Sequence, residues 1–175
     1  MTTEQRRFAA LEESRDRLLH LVEGVEHGPL NRRPGPRRWS ILQVLSHVIQ
    51  SEELTLSYLQ HKLQDPTRMP RAGLASYRRL LTLVVALRSP LRFKAPGATG
   101  NVPESGTLAE TLQRWENVRS GLAVLVATFP AELRDRAVFR HPFVGRMRLT
   151  HTLSFMKEHV EHHARQIAHI KREIG

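Results

Sequence analysis

The residues best suited to chemistry in this chain are its histidines. Ten occur in 175 residues. Six of them (His141, His151, His159, His162, His163 and His169) fall in the last 35 positions, where even placement would put two. Within the run K-E-H-V-E-H-H-A-R-Q-I, residues 157–167, His159 and His163 stand four apart. On a helix that spacing projects both imidazoles from one face, one turn apart, so both can reach one divalent ion. A solvated histidine-rich helix, or a histidine patch at a dimer interface, would show the same spacing. His162 points about a quarter turn away from His163 and is a poorer partner for His159. Two ligands do not make a site. His47, between the apolar Val44 and Val48, is the candidate third; a hydrogen-bonded core histidine is the other reading of that position. His20, His27 and His61 carry no comparable pattern.

Three neutral imidazoles on a divalent ion leave at least one position open to water or substrate. Zn²⁺ or Ni²⁺ suits an all-imidazole set, and Fe²⁺, Co²⁺ and Mn²⁺ are compatible with it. Such an ion would lower the pKa of water or act as a Lewis acid. The chain has no cysteine. That excludes a disulfide scaffold, thiolate ligands and a cysteine nucleophile. Any thiol chemistry would therefore need a low-molecular-weight thiol as cofactor. Other motifs are missing: there is no phosphate-cradling G-x-x-x-x-G-K-[ST], no G-x-S-x-G and no H-E-x-x-H. Residues 97–100 read as a turn. Glu12-Glu13 and Glu52-Glu53 read as surface carboxylates, and no acid/base pair stands out. Trp39 reads as a core and staple residue.

The elements that must position these histidines read as helices almost throughout. Phe8, Leu11, Leu18, Leu19, Val22 and Val25 approximate one helical face. The prolines and glycines of 24–36 end that helix in a loop. Ser40 with Gln43 is a capping box, and Trp39 with Val44 forms a hydrophobic staple, starting a helix that runs to about Gln64. A shorter helix is expected from Leu74 to Ser89, then a long Pro/Gly loop over 90–106. Thr107 with Glu110 caps a helix to about Thr128, and Thr150 caps the last, to about Ile174. Arg136 to Phe143 is the best strand candidate. Four long helices and a shorter one suit an all-α bundle with crossover connections, in a single domain over 1–175.

At this point the sequence resembles a known family. Trp39-Ser40-Ile41-Leu42-Gln43-Val44-Leu45-Ser46-His47 is similar to the W-S-hydrophobic-x-x-hydrophobic-x-x-His motif of the DinB-like (YfiT-like) metal-dependent superfamily. His141-Pro142-Phe143-Val144-Gly145, Leu149-Thr150 and the His159–Ile167 run match its second half. The resemblance implies an up-down-down-up four-helix bundle, with an additional short helix and long crossover loops here. It implies a divalent metal on His47, His159 and His163. It also implies one of two activities on a small-molecule substrate: a metal-dependent hydrolase, or a transferase using a thiol such as bacillithiol or mycothiol. Many relatives dimerise, so a homodimer is possible on the same ground. Residues 65–106 match no motif and say nothing of substrate.

The charge qualifies this reading. The net charge is +10, and 40% apolar residues with 25% charged exclude a wholly disordered chain. Residues 65–95 carry seven basic side chains against Asp65 alone, and 131–150 are net +3. An Arg-rich 65–95 segment holding acidic partners or nucleic acid, with a structural metal or none, is the alternative function. Nucleic acid is the weaker partner, since only Tyr77 and Phe93 supply aromatics there. No stretch approaches 18 apolar residues, and Met1 to Arg17 has no apolar signal core, so a soluble cytoplasmic protein without membrane association is expected.

Overall fold

Helix-start signals in the sequence place three of the four long helices. The computed structural model describes residues 1–89 and 101–175. Helix α1 spans Thr3–Val22, and Thr2 with Gln5 closes a capping box there that is not among the expected start signals. A short α2, His27–Asn31, occupies part of the segment expected to be loop. Pro29 is tolerated because it sits in the first turn, where its missing N–H has no helical partner to lose. Helix α3, Ile41–Leu63, begins at the expected box: the Gln43 N–H donates to Ser40 Oγ at 3.2 Å and the Ser40 N–H to Gln43 Oε1 at 3.1 Å. Helix α4 covers Leu74–Arg88.

Helix α5 covers Leu108–Ala127. Its cap is half of the expected box. Thr107 Oγ1 accepts the Glu110 N–H, but the Glu110 carboxylate takes the Thr107 hydroxyl at 2.6 Å instead of the backbone N–H. Helix α6, Leu149–Ile174, starts after Arg148 rather than at Thr150. The Arg148 N–H is satisfied from outside the helix, by Ser76 Oγ at 3.3 Å. Between α5 and α6, β1 (Phe139–His141) pairs antiparallel with β2 (Gly145–Met147), narrower than the stretch expected over 136–143. The H-P-F-V-G sequence is the hairpin's turn, closed by Gly145 at φ +83°. Most of the expected 90–106 loop, including the 97–100 turn, lies outside the described residues.

Side-chain contacts give the helix directions. Glu53 pairs with Arg114, Glu52 with Arg119, and Leu56 lies against Gly121, so α3 and α5 run parallel. Arg17 pairs with Glu161 and the Lys171 ammonium with the Leu21 carbonyl, so α1 and α6 are parallel too. Glu12–Arg119 and Arg15–Glu116 set α1 antiparallel to α5. Arg38–Glu173 and the histidines of the two helices set α3 antiparallel to α6. The bundle is thus up-down-down-up, and the connection from α3 to α5 crosses over by way of α4. Leu11, Leu18, Val44, Leu45, Val48, Leu122, Leu153, Val160 and Ile167 are buried in one core cluster. Each such side chain contributes about 1.5–3 kcal/mol of transfer free energy. Among the described residues no helix is long and apolar enough to cross a membrane.

The core also holds charge. Glu52 and Arg119 are both 2% exposed, so the expectation of a surface carboxylate fails for Glu52. Arg119 forks onto it, Nε to Oε2 at 2.8 Å and Nη2 to Oε1 at 2.7 Å, and Trp115 Nε1–H adds 2.8 Å. Burial pushes the Glu52 carboxyl above the usual carboxylate range, against the pull of Arg119 and Trp115.

Candidate metal centre

Each candidate histidine is placed by helical phase on an element with a reason to bury it. His47 lies in the second turn of α3, on the face that carries Val44 and Val48 into the core, and is 5% exposed. His159 and His163 sit one turn apart on α6. Because α3 and α6 are antiparallel neighbours, the three rings meet. Ring centroids are 5.2 Å apart for His47–His159, 4.8 Å for His47–His163 and 4.5 Å for His159–His163. One nitrogen from each ring falls within 4.8 Å of the other two. All three histidines singled out in the sequence are therefore brought together, on two helices that meet only in the folded chain.

The electrostatics favour neutral rings. Burial, reinforced by the other histidines, holds His159 and His163 well below the usual histidine range. His163 Nδ1 lies 2.8 Å from Gln166 Oε1. With the Gln166 carbonyl accepting, Nδ1 carries the proton and Nε2 presents its lone pair. That nitrogen faces His159 Nε2 at 3.1 Å. Gln166 is absent from the sequence-based candidates, although its place three residues after His163 puts it on the same helical face. Trp39 is tilted over His47, with ring centroids 5.0 Å apart, so the half-buried indole shields an imidazole as well as flanking the start of α3. Phe155, buried one turn before His159 at 5.7 Å, walls the other side.

The remaining histidines go elsewhere. His162 donates to the Leu87 carbonyl at 2.8 Å, tying α6 to the end of α4. His141 lies against Phe155, and burial pushes it down to about 4. His151 Nδ1 lies 2.8 Å from Ser76 Oγ, within hydrogen-bond reach; burial and Arg148 push the ring down to about 4. The nearby carboxylates have cationic partners: Glu52 is held by Arg119, Glu158 by the Arg88 fork at 2.7 Å, and Glu161 by Arg17. Three imidazoles gathered in this way, His47 and His163 buried and His159 half-buried, can hold a divalent ion; among the described residues no other group of histidines and carboxylates does so.

The comparisons agree with this architecture. The family model of the DinB superfamily matches residues 10–167. The chain is similar to the solved structure of YfiT from Bacillus subtilis, described as a probable metal-dependent hydrolase with an unusual four-helix bundle topology. The TM-score is 0.56 at 17% identity, covering 97% of this chain and 86% of that one. No curated protein matches the sequence.

Proposed function

This chain belongs to the DinB superfamily, and from that premise we propose that it is a metal-dependent hydrolase of a small substrate, its divalent ion held by His47, His159 and His163. The convergence of three imidazole nitrogens, from the buried His47 and His163 and the half-buried His159, carries the reading. Ligands at about 2.0–2.1 Å in a tetrahedral set stand about 3.3 Å apart. The His159–His163 nitrogens are already 3.1 Å apart. Two neutral Nε2 atoms at that distance share no proton when both Nδ1 positions are protonated, so an ion between them suits the donor set. Zn²⁺ and Ni²⁺ fit imidazole ligands best, with Fe²⁺, Co²⁺ and Mn²⁺ compatible. When bound, the ion would supply Lewis acidity and make water a nucleophile near neutral pH.

The chain's own residues do the rest. Gln166 fixes the His163 tautomer, so that Nε2 and not Nδ1 is offered to the ion. Burial keeps His159 and His163 unprotonated at neutral pH and ready to ligate. Trp39 and Phe155 hold the flanking rings and exclude water from the ligands' outer sides. The activity described for YfiT supports hydrolysis over group transfer.

Metal analysis of protein purified without an affinity tag tests the reading. About one divalent ion per chain is expected, lost on chelation together with hydrolysis of a panel of small esters and amides, and absent from His159→Ala. An ion-free protein whose metal uptake is unchanged by His159→Ala would overturn it. Turnover that appears only with an added low-molecular-weight thiol would overturn hydrolysis in favour of thiol transfer.

A further inference from the structure

The molecule has a second concave site, built from arginine. A cavity of about 370 Å³ lies between the start of α4 and the β1–β2 hairpin. Its lining includes Arg71, Arg79, Arg140 and Arg146, with Ser76 and Gly73. Two of these arginines come from the basic 65–95 segment and two from the hairpin, so the fold joins two charge-rich stretches that are far apart in sequence.

The arrangement is electrostatically unfavourable as it stands. The hairpin register sets Arg140 directly opposite Arg146. A separate bridge sets Arg71 opposite Arg136. Like charges directly across a strand pair are destabilising. Among the described residues none of the four lining arginines forms an ion pair, and residues 90–100 contain no Asp or Glu. The nearby Asp135 is turned to Arg148 at 3.6 Å. Arg79 is nonetheless held in place: its Nη1 donates to the Arg146 carbonyl at 3.1 Å, and its guanidinium lies over Gly145, where an added Cβ would stand 3.5 Å from Nε. Other arginines of this protein do meet carboxylates, as Arg88 meets Glu158 and Arg119 meets Glu52. Arg71, Arg140 and Arg146 are exposed and Arg79 is half-buried, so water hydrates the four guanidinium groups that an anion in the cavity could bridge.

We propose that this cavity binds the phosphoryl group of a small ligand through Arg71, Arg79, Arg140 and Arg146. Guanidinium forks match both carboxylate and phosphate. A carboxylate has two oxygens to share among four forks, whereas a phosphoryl group offers three or four and a second negative charge. Nucleic acid fits less well, because the arginines converge on one concavity rather than following a strip. The inference does not depend on the metal reading.

Thermal melts of the protein, as purified and after chelation, test it with inorganic phosphate and pyrophosphate against chloride at equal ionic strength. A saturable rise in Tm of roughly 5–10 °C is expected at about a hundredfold excess over Kd. It should survive chelation, vanish in Arg140→Gln/Arg146→Gln, and persist in Arg78→Gln, whose exposed arginine is outside the cavity. Without anion the double variant should melt no lower than the wild type, since its like-charge pair is gone. No rise beyond chloride, or an equal rise in the double variant, overturns the proposal. So does a rise abolished by chelation, which would place the anion at the histidines. A short DNA duplex that stabilises the wild type but not the double variant, while phosphate and pyrophosphate do nothing, overturns it in favour of a nucleic-acid backbone.

Discussion

Gln166 sets the orientation of His163 without touching any ion itself. Its carbonyl, 2.8 Å from Nδ1, decides which ring nitrogen is free. In Gln166→Leu that acceptor is gone, the tautomer is no longer fixed, and affinity for the divalent ion should weaken by about 10–100-fold. Gln166→Glu, which keeps an acceptor oxygen, should stay near the wild-type value; competition titration with a chromophoric chelator reads both. The His159/His163 pair is legible in the sequence because spacing alone puts both on one face, whereas His47 joins it through the family resemblance that its Trp-Ser motif carries. Gln166 is not legible, since any polar residue three or four places from a histidine could serve and the sequence does not say which face is buried. Glu52, Glu158 and Glu161 stand five, one and two places from a ligand histidine, off that spacing. Distant arginines take all three.

At the scale of elements, caps are the most readable feature and proline the least. Ser40 and Gln43 satisfy each other's backbone N–H groups, and the helix they start carries His47. Ser40→Ala should lower stability by about 1 kcal/mol, read as a shift in the urea midpoint with unchanged m-value. Ser40 is fully buried, so Ser40→Gly, which leaves a similar void but allows the N-cap backbone, should lose less. Helix α2 is hidden from sequence because Gly28-Pro29 reads as a breaker, although a proline in a first turn breaks nothing. The start of α6 is hidden for another reason: its N-cap is Arg148, whose N–H is answered by Ser76 from the start of α4, and no local motif encodes a cap supplied from elsewhere.

Across the whole molecule, the buried Glu52–Arg119 pair joins α3 to α5 and, through Glu12, to α1. Removing one partner leaves the other charged and dry. Arg119→Met should therefore destabilise by about 3–5 kcal/mol, and Glu52→Leu/Arg119→Met should recover most of that loss, as chemical denaturation of single and double variants would show. The pair escapes sequence reading because its members lie 67 residues apart and each alone looks like a surface charge. The up-down-down-up order, by contrast, is what the family resemblance implies; helix count and one long connection by themselves suit a bundle with crossovers and leave the helix directions open. That order also governs when folding can finish. Helix α1 runs alongside α6, so within this bundle the helix made first is the neighbour of the helix made last. Until α6 has emerged, much of the apolar face of α1 stays uncovered, a client for holding chaperones. His47 waits for the same event, and cannot share an ion with His159 and His163 until that helix has been made.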